Sequence, residues 1–107
     1  MIFRNRALLN CAAGAPCQNC GADGGTTVAA HSNKAIHGKG MGQKAHDCFV
    51  AFLCRECHDW LDGRSGYSVD PSGRWEAAEK SEMFDRAMHR TWLWLWSNDR
   101  LAVVKRR

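Results

Sequence analysis

Apolar and polar positions divide the chain into three stretches. From Met1 to about Ala15 a short lead-in mixes Ile2, Phe3, Ala7, Leu8 and Leu9 with Arg4 and Arg6. From Pro16 to Arg64 brief apolar runs alternate with glycines, histidines and cysteines, a pattern of short strands, turns and loops. The β-branched and apolar run Thr26 to Ala30 predicts a strand that delivers His31 at its end, and Phe49 to Leu53 predicts a second. Together they predict a hairpin whose long loop, Ser32 to Cys48, carries Lys34, His37, Lys39, Lys44, His46 and Asp47. The third stretch changes period. Ala77, Phe84, Met88, Trp92 and Leu95 follow at steps of seven, four, four and three, with Ala87 beside them, which is the apolar stripe of a helix. Asp70 followed by Pro71 marks its start, with Ser72 as a competing cap, and the helix is expected to run on to Arg107. Trp94 and Trp96 fall off the stripe. Either the lead-in residues Ile2, Phe3, Leu8 and Leu9 cover them or a second copy of the chain does.

Length and charge narrow the picture. The chain of 107 residues is expected to form one domain, residues 1–107, with a core over 16–64 and a helix over 70–107. Fifteen Lys and Arg against 11 Asp and Glu leave a net charge of +4, which permits a nucleic-acid partner without requiring one. The lead-in has no apolar run long enough for an export signal. The tryptophan-rich stretch Trp92 to Trp96 is far short of the roughly 20 residues that span a bilayer. A cytoplasmic location is therefore expected, with no membrane partner. There thiols stay reduced, so the six cysteines read as ligands or buried thiols rather than bridges. Lys105, Arg106 and Arg107 read as a solvated basic tip.

Spacing singles out four of those cysteines. Cys17-x-x-Cys20 and Cys54-x-x-Cys57 are two pairs of the kind that aim thiolates at one ion, and two such pairs complete the tetrahedral shell of a structural zinc ion. Gly21 suits the left-handed turn that closes a knuckle. After the second pair, His58 to Asp62 followed by Gly63 predicts a short helix with a glycine cap. A knuckle, a hairpin and a helix whose first turn supplies the last two ligands is the treble-clef arrangement, so the expected class is a small zinc-bound α+β fold with a long C-terminal helix. Cys11 and Cys48 read as small buried hydrophobes, with Cys48 a substitute ligand if the pairing differs. The string Cys54-Arg55-Glu56-Cys57-His58 also spells a haem-attachment motif, but that would leave Cys17 and Cys20 unexplained.

The residues around the predicted zinc site hint at a second centre. His58 and Asp62 lie four apart, hence on one face of the short helix, and the strand places His31 opposite them. An imidazole that can deprotonate water, facing two donors for a divalent ion, meets the requirement for metal-assisted phosphodiester hydrolysis. Lys34, Lys39 and Lys44 on the glycine-rich loop would supply phosphate contacts. That loop lacks the context of a nucleoside-triphosphate site. His37, His46 and His89 read as surface or packing histidines.

Cys17-x-x-Cys20, Ala30-His31-Ser32-Asn33, Gly38-Lys39-Gly40-Met41-Gly42-Gln43-Lys44, His46-Asp47 and Leu53-Cys54-x-x-Cys57-His58 with Asp62 together resemble the HNH, or ββα-metal, endonuclease superfamily. More narrowly, they resemble the prophage-encoded nucleases of the YbcO type. The resemblance covers roughly Cys17 to Gly63. It implies His31 as the first histidine of the motif, with His58 and Asp62 in the places of late ligands to Mg²⁺ or Mn²⁺. Asp62 stands where that superfamily usually has histidine. Its middle asparagine would fall near Phe49, so Asp47 is the stand-in, either orienting the His31 ring or binding metal. The activity implied is hydrolysis of nucleic acid, DNA foremost. The alternative is a non-catalytic zinc module that binds DNA or a partner protein, and the tryptophan-rich helix leaves room for a homo-oligomer.

Overall fold

The computed structural model describes residues 1–63 and 74–103. Its elements are α1 (Arg6–Asn10), a 3₁₀ turn (Cys11–Gly14), β1 (Val28–His31), a second 3₁₀ turn (Ala35–His37), β2 (Val50–Leu53), α2 (Arg55–Leu61) and α3 (Arg74–Ser97). The lead-in is more ordered than its composition suggests. Asn5 caps α1 by accepting from the Leu8 amide at 3.1 Å, satisfying an N–H that the first helical turn leaves without a partner.

Strands β1 and β2 form an antiparallel pair in which Val28 faces Leu53 and His31 faces Val50. All four β2 residues are buried, as expected of an uninterrupted apolar run covered on both faces. Because successive side chains alternate, Ala51 and Leu53 join one core and Val50 and Phe52 the other. The first core gathers Met83, Phe84, Ala87 and Met88 of α3 around Cys17 and Cys54. The second packs Leu8, Ala12 and Ala15 against Val50, Phe52 and Leu95.

Helix α3 is bound to β2 through its backbone. Thr91 accepts from the Phe52 amide at 2.9 Å and donates to the Ala87 carbonyl at 2.8 Å, both inside the core. The Phe52 amide would otherwise be a buried donor without an acceptor, which explains a β-branched polar residue in mid-helix. Trp92 donates to the Cys48 carbonyl at 3.0 Å. Of the expected stripe, Phe84, Ala87, Met88 and Leu95 are buried, while Ala77 is exposed and Met83 joins from beside it.

The helix end departs from the sequence expectation. Rather than continuing to Arg107, α3 stops at Ser97. Asp99 turns left-handed at φ 57°, and the amides of Asp99 and Arg100 reach back to the carbonyls of Trp96 and Leu95 at 3.3 and 2.9 Å. This pair of bonds is a Schellman motif, and Leu101 then packs into the second core. The cap expected at Asp70 and Pro71 and the basic tip at 105–107 lie outside the described residues. Leu8 and Leu9 of the lead-in share the second core with Trp94, whereas Trp96 stays exposed.

Candidate functional site

The knuckle around Cys17 is built by backbone bonds. The Gly21 amide donates to the Cys17 carbonyl at 2.9 Å, with Gly21 at φ 81°, and the Cys17 amide donates to Ala22 at 2.8 Å. The Gln18 amide reaches the Phe52 carbonyl at 2.8 Å, which docks the knuckle beside the end of β2, where Cys54 follows. One ligand atom from each of Cys17, Cys20, Cys54 and Cys57 lies within 4.8 Å of the others. Among the described residues this is the one group of three or more His, Cys, Asp or Glu placed to share an ion. A tetrahedron with Zn–S bonds of about 2.3 Å has edges of about 3.8 Å, and the Cys20 and Cys54 sulfurs are 3.7 Å apart. The donor set therefore fits a metal ion such as zinc.

Local dipoles prepare the sulfurs. Burial alone would push the Cys17 thiol up, but the amides of Cys20, Cys54 and Asn19 hold it down at about 7. The Asn19 side-chain amide donates to the Cys57 sulfur at 3.2 Å. Burial still pushes Cys54 and Cys57 up, with Cys20 and Cys17 adding to the rise at Cys54 and Cys54 and Cys17 at Cys57. Four thiolates in one pocket require a cation to balance them. Cys11 and Cys48 stand apart, both half-buried against the second core.

Beside this centre opens a cleft of about 330 Å³ lined by His31, Asn33, Lys39, Lys44, His58 and Asp62, with Ala29, Ala30 and Ser32 at its wall. The hairpin supplies His31 from the end of β1, and α2, begun directly after Cys54, supplies His58, with Asp62 one turn on as its C-cap. The His58 Nε2 lies 3.1 Å from Asp62 Oδ2. Gly63 at φ 76° ends the helix just beyond.

His31 Nε2 lies 2.8 Å from Asp47 Oδ1. Asp47 is 3% exposed at its side chain and takes two further donors, the Asn5 amide at 2.7 Å on Oδ2 and Arg4 Nη1 at 3.2 Å on Oδ1. Burial by itself would raise this carboxyl, but the His31 and Asn5 hydrogen bonds and the nearby Arg4 charge bring it below its ordinary value. An ionised acceptor on Nε2 fixes the imidazole as the Nε2–H tautomer and leaves a lone pair on Nδ1.

That depressed carboxyl makes acid stability a test. A group whose folded pKa lies below its unfolded value near 3.9 stabilises the fold above that value, and the contribution vanishes as pH falls through the folded pKa. The urea midpoint of the parent should exceed that of Asp47→Asn at neutral pH, and the gap should close below about pH 4. A gap that stays constant from neutral to acid pH would contradict the account of Asp47.

The remaining sequence candidates divide. Lys39 and Lys44 line the cleft, whereas the Lys34 ammonium sits 2.8 Å from each carboxylate oxygen of Asp85 on α3. His37 stacks on Phe49 at 4.4 Å and pairs with Ser32, and His46 accepts from the Phe3 amide at 3.0 Å while its ring lies against Gly38. Both therefore serve packing. Sequence reasoning missed Arg4 and Asn5, whose partner is more than forty residues away. The Asn5 cap before a short apolar run was a legible signal; Arg4 offered none.

Fold and donor set thus define a small mixed α/β protein with a two-stranded sheet, a long C-terminal helix and a four-cysteine cluster able to bind a metal ion. Residues 6–97 match the family described as "Putative nuclease YbcO", and the chain belongs to that family. No curated protein and no solved structure matches the chain. Among the described residues no helix is long and apolar enough to cross a membrane.

Proposed function

We propose that this protein is a metal-dependent endonuclease of the HNH type, built on a treble clef that a four-cysteine zinc site holds together. The observation that carries the reading is the His31–Asp47 hydrogen bond of 2.8 Å at the wall of a cleft that His58, Asp62, Lys39 and Lys44 also line. Nδ1 of His31 takes the proton of a water attacking the phosphodiester phosphorus, and Asp47 stabilises the imidazolium that forms. The bond to the 3′ oxygen then breaks, and solvent protonates that oxygen.

Lys39 and Lys44, rather than the paired Lys34, meet the nucleic-acid backbone. His58 and Asp62 line the cleft side by side and would hold a Mg²⁺ or Mn²⁺ ion there. Such an ion supplies Lewis-acid polarisation of the phosphate and stabilises the leaving oxygen.

The test pairs binding with cleavage. Zinc-loaded protein is titrated with Mn²⁺ under electron paramagnetic resonance while nicking of supercoiled plasmid is followed. The parent should take up one Mn²⁺ and nick DNA, and His58→Ala/Asp62→Ala should lose both while keeping its zinc. DNA binding with neither Mn²⁺ uptake nor nicking would mark a binding module instead.

A further inference from the structure

The Arg4 guanidinium spans two segments of the chain. Nη1 donates to the Ala45 carbonyl at 2.6 Å and to Asp47 Oδ1 at 3.2 Å, and Nη2 donates to the Lys44 carbonyl at 3.0 Å. The neighbouring amides tighten the same seam, Asp47 to the Phe3 carbonyl at 3.0 Å and Asn5 to Asp47 Oδ2 at 2.7 Å. With the Phe3 amide on His46, residues 3–5 thus grip the segment 44–47 through six hydrogen bonds, and that segment carries both a cleft lysine and the carboxylate on His31.

We infer that Arg4 is a positioning residue of the cleft, fixing Asp47 from outside so that His31 keeps one tautomer and one orientation. The inference rests on the nuclease reading of the cleft.

Asp47 is almost wholly buried, and a buried carboxylate with only neutral partners is costly, so a cation at 3.2 Å changes what the pocket tolerates. Both carboxylate oxygens are engaged, Oδ1 by His31 and Arg4 and Oδ2 by Asn5, which stops the group from rotating away from the imidazole. The planar fork also binds the successive carbonyls of Lys44 and Ala45, a task that the point charge of a lysine cannot share out in the same way. Arg4 is not among the residues lining the cleft, and its contact with the site is the hydrogen bond to Asp47.

The test is Arg4→Ala beside Arg4→Lys, with steady-state cleavage of a labelled duplex and ¹⁵N spectra of the His31 ring recorded near pH 8, above the ordinary imidazole pKa of about 6.5. Positioning groups of this kind are worth about 10- to 100-fold in activity. Arg4→Ala should lose kcat on that scale with KM and its salt dependence unchanged, the His31 ring should become a mixture of tautomers, and Arg4→Lys should recover part of kcat. Unchanged kcat would overturn the inference. So would a raised KM with a salt slope shallower by about one, which marks a direct phosphate contact. If the alanine variant does not fold, Arg4→Gln keeps a donor without the charge and is read the same way. If the parent cuts nothing, the nuclease reading fails by itself and the ring spectra decide alone. A single Nε2–H tautomer in the parent that becomes mixed in the variant supports Arg4, and identical spectra overturn it.

Discussion

Stripping the metal from the four-cysteine cluster is expected to unfold the protein rather than merely loosen it. Structural zinc contributes on the order of 10 kcal/mol in small zinc domains, comparable to the whole stability of roughly 5–15 kcal/mol that a domain retains. Two of the four cysteines, Cys17 and Cys54, are themselves part of the core that holds Leu53, Met83, Phe84 and Met88. Loss of the ion would leave buried thiols without the cation that balances them and would release the knuckle from β2. Addition of a strong zinc chelator, or Cys54→Ser, should abolish the cooperative thermal transition and red-shift the emission of Trp60 and Trp92, which pack against that core. A chelated protein that melts cooperatively at the parent temperature would show that the cysteines are core thiols and no more.

His31→Ala is expected to lower cleavage by about 10²- to 10⁴-fold, the range of a positioned general base. The loss should fall on kcat, because Lys39 and Lys44 remain to hold the backbone. The fold should survive the change, since His31 is not in either core and lies at the open end of β1. Its metal content should therefore match the parent, while its thermal transition stays cooperative at a somewhat lower temperature, because Asp47 loses one of its three donors. Equal cleavage by parent and variant would remove His31 from the chemistry.

The parts of this molecule that were legible in sequence are those fixed by short-range chemistry. The C-x-x-C spacing identified the cysteine cluster because two intervening residues constrain where thiolates can point, and the structure brings those four sulfurs together. The runs before His31 and Cys54 appeared as strands because β-branched and apolar residues crowd there. What stayed hidden depends on distant partners. Nothing local to Lys34 announces Asp85, and nothing in the lead-in announces that Arg4 and Asn5 close around Asp47. The end of α3 was misread for a different reason. Leu101, Ala102 and Val103 prolong the apolar character of the helix, while the stop signal is Asp99 in a left-handed conformation that glycine more often supplies.

The most direct measurement is nicking of supercoiled plasmid by the zinc-loaded parent and by His31→Ala, with Mg²⁺ or Mn²⁺ added and the zinc content of both measured beforehand. Metal-dependent nicking by the parent and almost none by the variant is expected, with one zinc in each. Plasmid left intact by both proteins while both bind it would contradict the nuclease reading and leave a zinc-stabilised binding module.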